Sequence, residues 1–544
     1  MQGLEGIRVL ELGHLVSAAY ATKLIADLGA DVIKVEEPDG DHARARGPFP
    51  GNVPDPEQSG LFLALNTNKR SVTLDLRTPQ GKEQLRRLVS WANILIHNYS
   101  PALMAEFGID YAAFHALNPR LVMCSITPFG LSGPYKDYKA YEITVAHGGG
   151  WAWLSPGTSE QSDLSPLKAF GHQCGFQSGL AAATTALAAY YRALDTDVGE
   201  HIDLSAQEYV ASFTEQNIVY YTYLGKISSR LGRRLLYPWG IHECQDGLIF
   251  LLIVEQDQWQ RLIELMGNPE WASWEIFKDQ WSRGQNSDIL KPYLDEWISQ
   301  WRVEDLFCTG QERRICFSPV FTMADLPKQA QLRTRNFFVE VNHPRTGTLT
   351  HLGPPYQLHE PWWQIRRPAP LLGEHNKEVF AAPYNLRSPT PNPQPPTPSS
   401  RLPLEGVRIA DFSWVWAGPF CSLQLAHLGA EVIRVESRAR QDAARRLPLG
   451  PPGIKPSPNT SGYFNQWSQG KKSLALNLSK PEALAVAKKL IQTCDVVLEN
   501  FANGVMEELG LGYQELKKIK PDIIMASICG YGHSGPQQDY MGYG

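Results

Sequence analysis

The sequence has 544 residues, 43% apolar and 20% charged. That is the balance of a globular protein with several packed cores, not of a disordered, collagen-like or coiled-coil chain. The formal net charge is −5, so no basic excess points to nucleic acid or an acidic membrane.

In chain order, Ile7–Leu12 reads as a short apolar strand. Ala18–Leu28 has helical apolar spacing and stops at Gly29, and Asp31–Glu36 is the next strand. Arg70–Leu76 and Ile94–Asn98 read as strands on either side of a helix over Gly81–Trp91. A further helix ends near Asn118-Pro119 and leads into a strand at Leu121–Ile126. Alternation at this spacing predicts a parallel sheet with right-handed crossovers. Ser178–Leu194 is Ala-rich and predicts a long, closely packed helix. From about 200 to 330 comes a mixed α+β region rich in Trp, read as core or interface packing before a binding box.

The same opening occurs twice. Leu4–Glu36 and Leu404–Glu436 share 12 of 33 residues at an offset of 400. At an offset of 402, Ser59-Gly60 answers Ser461-Gly462, Lys69 answers Lys471, Asn98-Tyr99 answers Asn500-Phe501, and Ser132-Gly133-Pro134 answers Ser534-Gly535-Pro536. Such a period means two copies of an enzyme-sized module. The expected domains are a first copy at 1–385, with a large domain at about 1–200 and 330–385 and a small one at about 200–330. A linker follows at 386–403, then the N-terminal part of a second copy at 404–544. The linker, rich in Pro and Ser, should be extended, spanning roughly 50 Å in the polyproline form.

The start, MQGLEGIRVLELG, lacks a basic segment before a long apolar core, and no run approaches about 18 apolar residues, so neither a secretory signal nor a membrane span is expected. The eight cysteines are scattered without a C-x-x-C. Neither a disulfide framework nor a metal site is expected, and a cytoplasmic location is inferred.

Residue chemistry alone stops short of a reaction. The first β–α turn, Gly13-His14-Leu15-Val16-Ser17, has no G-x-G-x-x-G, although a helix N-terminus there can favour an anion. His14 is answered by Trp414, which argues against a shared catalytic need. Gly148-Gly149-Gly150 reads as a flexible loop or a close approach to a ligand, and Asn68-Lys69-Arg70 as a solvated turn or a phosphate contact.

The phrases LEGIRVLELG, LGADVIKVE, NKRSVTLDL, ALNPRLVMCSITPFGLSGP and PLLGEH, in this order, resemble the class III CoA-transferases, the CaiB/BaiF-like family of formyl-CoA and carnitine-CoA transferases. The resemblance covers 1–385 and again 403–544. It implies an α/β fold of the interlocked-ring type, with a Rossmann-like large domain, a small α+β domain and a second partial copy of the large domain. It implies transfer of coenzyme A between an acyl-CoA and a carboxylic acid through an acyl-enzyme anhydride and an enzyme-CoA thioester, with CoA as substrate and no bound cofactor. The alternative is a CoA-binding protein without turnover, or a truncated or heteromeric subunit. Homodimers or heteromers with another family chain are the implied partners.

The resemblance also places residues. The family's carboxylate nucleophile falls at Gly175, which cannot attack a thioester; the adjacent Cys174 is a weak substitute. The second copy's counterpart would fall past Gly544. Tyr141 and Glu142 match residues beside the reacting groups. The CoA neighbourhood is implied at Leu15, Val16, Leu74, Arg77, Asn98, Tyr99 and Lys139 in the first copy. In the second it is implied at Val415, Trp416, Arg438, Leu476, Asn500 and Phe501, with Tyr543 answering Tyr141. A position usually basic in the family is Glu106 here and Glu508 in the second copy. Ala417-Gly418-Pro419 keeps the family's A-G-P turn, which the first copy lacks at Ser17-Ala18-Ala19. On this reading the first copy is the decayed one.

Overall fold

The computed structural model describes residues 3–157, 163–214, 217–231, 236–381, 401–447 and 450–543. Most of the expected linker, 382–400, lies outside the described residues.

Six strands, β1 (Arg8–Leu12), β2 (Asp31–Glu36), β3 (Lys69–Thr73), β4 (Ile94–His97), β5 (Val122–Thr127) and β6 (Glu200–Ser205), form one sheet. The order is β3-β2-β1-β4-β5-β6, and every pairing is parallel. This doubly wound order places the switch point between β1 and β4, where a ligand crevice is expected at the strands' carboxyl ends. Val9, Leu10, Leu12, Ile94 and Ile96 are fully buried, as in a sheet covered on both faces. β6 and the helix Ala206–Ser212 belong with the large sheet.

Two helices set the geometry at that crevice. One is Ser17–Asp27; the other is Gln173–Thr196, which starts a turn earlier than its Ala-rich sequence suggests. Ala182, Ala186, Ala189 and Ala193 meet Ala18, Ala21 and Ile25 in one core, and such small residues let helix axes approach closely. At the tightest point a Cβ on Gly179 would lie 2.6 Å from the Ser17 carbonyl oxygen. The crossing therefore requires glycine, and it draws the starts of both helices together.

A second parallel sheet contains β12 (Arg408–Asp411), β13 (Glu431–Glu436), β14 (Lys472–Ala475), β15 (Val496–Glu499) and β16 (Ile524–Ser527), ordered β14-β13-β12-β15-β16. The first five strands of the first sheet have this order, and the register repeats: Val9 pairs with Val32 and Ile94, Ile409 with Val432 and Val496. Between the two along the chain come an antiparallel sheet of β7 (Trp239–Cys244), β8 (Gly247–Leu252) and β9 (Cys316–Pro319), and a hairpin of β10 (Phe338–His343) and β11 (Gly347–Leu352). Trp259 is buried in the core of the β7–β9 region and Trp271, Trp297 and Trp301 pack against it, so these four tryptophans are packing residues.

The chain divides into two compact units. One gathers Met1–Ser155, Pro166–Ile218 and Phe337–Gly406. The other gathers Pro156–Ser165, Val219–Asn336 and Val407–Gly544. The β7–β9 region thus shares a unit with the second parallel sheet.

Candidate functional site

At the end of β1 the chain turns through Gly13–Val16 into the helix Ser17–Asp27. Leu15 has φ of 63°, and its counterpart Val415 has φ of 64°. Branched side chains rarely adopt this left-handed conformation, which costs about 1–3 kcal/mol. The turn is held by side chains at the neighbouring strand ends. Asn98 Oδ1 accepts from the His14 amide at 2.9 Å while its Nδ2 donates to the His14 carbonyl at 2.7 Å. Asp41 accepts from the Leu15 amide at 2.8 Å. In the second copy, Asn500 makes the same two bonds to Trp414, at 2.7 and 2.9 Å, and Asp442 accepts from Val415 at 3.1 Å. A strained, clamped turn thus stands at the same sheet edge twice.

The missing A-G-P turn has a physical explanation. A Cβ on Gly418 would lie 2.2 Å from Ser413 Cβ. In the first copy position 13 is glycine and position 18 is a buried alanine. The small residue has changed places, so this feature is a compensated exchange rather than decay.

Beneath the first turn lies a fully buried ionic cluster. Glu11 accepts from Lys34 at 2.6 Å, from Lys69 at 2.8 Å and from Thr22 at 2.6 Å; Lys34 also meets Asp41 at 2.7 Å. Burial opposes the Glu11 charge, but the two ammonium groups overcome it and hold its carboxyl at about 2. Burial likewise opposes the Lys34 charge, yet Asp41, Glu11 and Glu36 raise its pKa. Burial pushes Lys69 down to about 8, with Lys34 adding to the shift and Glu11, its main counter-ion, opposing it. In the second copy Asp411, one methylene shorter, accepts from Ser422 at 2.6 Å and meets Lys471 at 3.3 Å, while Arg434 pairs with Asp442. Lys69 and Asn68 are therefore internal: Asn68 Nδ2 donates to Asp27 and to the Gln364 carbonyl, and Arg70 pairs with Asp31 and Glu378. The expected solvated or phosphate-binding turn at 68–70 is corrected accordingly.

The rims differ in charge. In the first copy, the His14 ring stacks on His42 at 3.9 Å and lies 3.3 Å from Glu37. Arg77 is held by Glu37 and by Glu106, the latter at 2.9 Å. In the second copy, Ser437-Arg438-Ala439-Arg440 replaces Glu37-Pro38-Asp39-Gly40. Arg438 is exposed, and the Arg440 guanidinium lies 5.2 Å from the Trp414 ring centroid. Phe501 meets Trp414 edge-on at 5.9 Å, and Trp416 stacks near Trp467 at 6.1 Å.

The remaining first-copy candidates lie at the start of the helix Gln173–Thr196. Gly175 is in its first turn, and a Cβ there would meet Val16 at 3.2 Å. Glu142 opens the helix Glu142–Gly148, and its carboxylate accepts the amides of Cys174 at 2.6 Å and Gly175 at 3.2 Å. It thereby satisfies two of the helix's free N–H groups and complements the dipole. Cys174 is buried, and desolvation with Glu142 beside it pushes its thiol up to about 12. It lacks the thiolate a nucleophile needs. Tyr141 and Lys139 are exposed on the preceding loop. Gly148–Gly150 is neither a flexible loop nor a ligand approach: it ends the Glu142 helix, where a Cβ on Gly149 would strike Val210 at 2.5 Å.

The turn, Asn98, Val16, Gly175 and Glu142 are thus brought to one sheet edge, and Val415, Trp416, Asn500 and Phe501 to the equivalent edge. Leu74 and Tyr99 are buried in the sheet's second core, and Leu476 packs against the corresponding core of the second copy. The sequence reading missed Glu11, Lys34, Asp41 and Asp442. The available signal was charge inside apolar strands recurring at the repeat offset, as in Glu11/Asp411 and Lys34/Arg434. Among the described residues no group of three or more His, Cys, Asp or Glu could hold a metal ion, and no helix is long and apolar enough to cross a membrane.

Comparison with known proteins gives a consistent family. The family described as CoA-transferase family III matches residues 4–376 and 404–544. A succinate–glutarate CoA-transferase of Agrobacterium fabrum is 29% identical over 383 residues, covering 70% of this chain and 95% of the relative. A formyl-CoA:oxalate CoA-transferase of Streptomyces avermitilis is 31% identical over 415 residues, covering 71% and 96%. A CAIB/BAIF family protein from Brucella suis, solved by crystallography, superposes with a TM-score of 0.62 at 28% identity, covering 70% of this chain and 99% of its own.

Proposed function

Because the chain belongs to CoA-transferase family III, we propose that it binds coenzyme A esters at the carboxyl edges of its parallel sheets and serves transfer of CoA between an acyl-CoA and a carboxylic acid. The observation that carries this reading is the strained β–α turn, built twice and clamped twice by an asparagine and an aspartate. Strain kept in duplicate at a switch-point crevice is a feature of a binding site.

The second copy is the stronger CoA-binding half. Val415, Trp416, Leu476, Asn500 and Phe501 surround the adenosine, and Arg438 and Arg440 supply charge for the phosphates. The first-copy set, Leu15, Val16, Leu74, Arg77, Asn98, Tyr99 and Lys139, is the weaker, because Arg77 is already neutralised by Glu37 and Glu106. Tyr141 and Glu142 stand beside the position of the reacting group in the first copy. The proposed domains are 1–385, with its small region within it, a linker at 386–403, and 404–544.

In the proposed reaction a carboxylate attacks the thioester carbonyl, releasing CoA thiolate and leaving an anhydride. The thiolate then attacks the enzyme carbonyl, releasing the acyl group as its carboxylate. A second acid reverses these steps. Such a nucleophile must be shielded from water. Gly175 supplies none, and this favours a second reading, in which the first copy binds CoA without turnover or serves within a heteromer. One relative, from Thauera aromatica, is named as a subunit.

The test is transfer of labelled CoA from succinyl-CoA or formyl-CoA to free dicarboxylic acids, run beside calorimetric titration with CoA. Exchange establishes the transferase. Binding without exchange establishes the second reading. Neither binding nor exchange overturns both.

A further inference from the structure

At the amino edge of the first sheet, away from the clamped turn, lies a cavity of about 140 Å³. Arg8, Ser90, Asn93, Asn118, Arg120 and Tyr190 line it. Arg8 opens β1, Asn93 immediately precedes β4 and Arg120 lies just before β5. Ser90 and Tyr190 come from the helices Pro79–Trp91 and Gln173–Thr196. Polar groups therefore reach the cavity from strand ends, a loop and two helices.

The same corner of the second copy is built on the same backbone bond. The Arg8 amide donates to Asn93 Oδ1 at 2.9 Å, and the Arg408 amide to Asp495 Oδ2 at 2.8 Å. The charges around that bond differ. Arg408 meets Glu431 at 2.6 Å and donates to Thr493 at 2.7 Å. Lys520 meets Asp522 at 3.0 Å and lies 4.0 Å from Asp495. Arg408 and Lys520 thus each have a carboxylate.

The first copy has lost those acids. Asn93 stands in the place of Asp495, Asn118 in that of Lys520 and Arg120 in that of Asp522. Asp31, the counterpart of Glu431, is taken by Arg70 through two bonds, at 3.0 and 2.6 Å. Arg8 keeps only the Trp91 ring, 5.9 Å away, and among the described residues no carboxylate pairs with it. Among the same residues, neither the Asn93 side-chain amide nor the Tyr190 hydroxyl donates a hydrogen bond. Arg120 meets the exposed Asp197 at 3.0 Å, and such a surface pair is worth less than about 1 kcal/mol. Helix C-termini attract arginines to their last carbonyls, but that role is already filled. Asn118 donates to the carbonyls of Val89 at 3.0 Å and Ala92 at 2.7 Å, and Ser90 to that of Arg86 at 3.1 Å.

We propose that this cavity binds a phosphate group, free or as a monoester, held by Arg8 and Arg120 with Asn93 and Tyr190 completing the donors. Guanidinium groups grip phosphate oxygens through paired N–H donors. Donors arriving from several directions suit a tetrahedral anion better than a planar carboxylate. The site lies at the opposite ends of the strands from the proposed CoA edge, so it stands whether or not CoA is turned over.

Calorimetric titration of the full chain in phosphate-free buffer tests it, with inorganic phosphate and glycerol phosphate as probes. Inorganic phosphate is expected to bind with a Kd of about 1 mM or tighter, and more weakly as salt rises. Tighter binding of glycerol phosphate assigns the site to a monoester; tighter binding of inorganic phosphate assigns it to the free ion. Arg8→Gln is expected to weaken binding at least about tenfold. Arg8 is exposed, so this variant is expected to stay folded. Asn93→Asp is expected to weaken binding as much, because it gives Arg8 the carboxylate that Asp495 provides in the second copy and keeps an acceptor for the Arg8 amide. Arg438→Ser with Arg440→Ser, which removes the basic rim of the second copy, is expected to leave phosphate binding unchanged. Loss of binding in that variant places the phosphate on the rim and overturns the proposal. Binding that Arg8→Gln leaves intact overturns it too, as does a wild type that takes up no phosphate at about 10 mM.

Discussion

Asn98 and Asn500 make the same pair of bonds to the turn beside them, yet the rim residues differ in kind. The first turn carries a histidine against Glu37, next to an arginine shared by two glutamates. The second carries a tryptophan beneath Arg440, next to an exposed Arg438. Frame and charge have separated. The frame is fixed by sheet register and by buried polar groups whose loss destabilises the fold, so both copies retain it. The rim is tied into the fold by fewer buried bonds and costs less to change. On the proposed reading function lies on the rim and stability in the frame, and each assignment can be broken separately.

The largest expected effect is beneath the turn. Glu11→Gln leaves two buried ammonium groups short of a counter-charge and is expected to cost about 3–5 kcal/mol in denaturant unfolding. Asp411→Asn affects a cluster with one lysine, which keeps bonds to Pro419 and Ser422, and is expected to cost about 2 kcal/mol. Equal costs would erase the contrast between the two clusters.

The pH dependence sharpens the same contrast. Glu11 titrates at about 2 when folded, against an ordinary 4.5. Its contribution is therefore present above about 4.5 and lost as pH falls toward 2. Lys69 and Lys471 are both lowered to about 8 by burial. Between about 8 and 10.5 the unfolded chain binds the proton more readily, so stability rises with pH in that window. Unfolding followed from pH 2 to 11 is expected to lose its acid limb in Glu11→Gln and to keep its alkaline limb.

Asn98→Ala removes three bonds, one of them to Ser17 at the helix start, and Asn500→Ala removes two, and each is expected to cost about 2 kcal/mol. They should differ in ligand binding, because only Asn500→Ala sits in the half with the basic rim. Calorimetry with CoA is expected to show a tenfold weaker Kd, about 1.4 kcal/mol, for Asn500→Ala and little change for Asn98→Ala. Arg438→Ser with Arg440→Ser is expected to weaken CoA binding by a similar factor, more at low salt than at high.

Much of this was legible in the sequence, and the illegible parts share a cause. The repeat and the strand–helix alternation predict a duplicated parallel sheet with right-handed crossovers, though not its strand order, and the family phrases point to Gly175 and Asn98. What remained hidden depends on contacts between segments distant in sequence. Lys69 reads as a solvated turn because no local pattern records that Glu11, 58 residues away, meets its ammonium group. Gly149 reads as a loop because the Val210 that forces it lies on another helix. The missing A-G-P turn reads as decay until Gly13 and Gly418 are seen to exchange one requirement for space.

The smallest expected effect tests what separates the first copy from a working site. Gly175→Asp places a Cβ 3.2 Å from Val16, a contact that must yield slightly, and is expected to cost about 1 kcal/mol. The new carboxylate would stand beside Glu142, which already accepts the first amides of the helix. Two like charges there favour sharing a proton over full ionisation and weaken the nucleophile near neutral pH. Arg77 would meanwhile stay bound to Glu37 and Glu106, leaving the phosphates without a counter-charge. Where the wild type binds CoA without exchange, the single substitution is therefore expected to restore none. Exchange at the first copy is then expected only when Glu37→Ser and Glu106→Lys accompany it, with a rate that rises toward alkaline pH. Activity from Gly175→Asp alone would show that the acidic rim is no barrier and that one missing side chain is the whole difference.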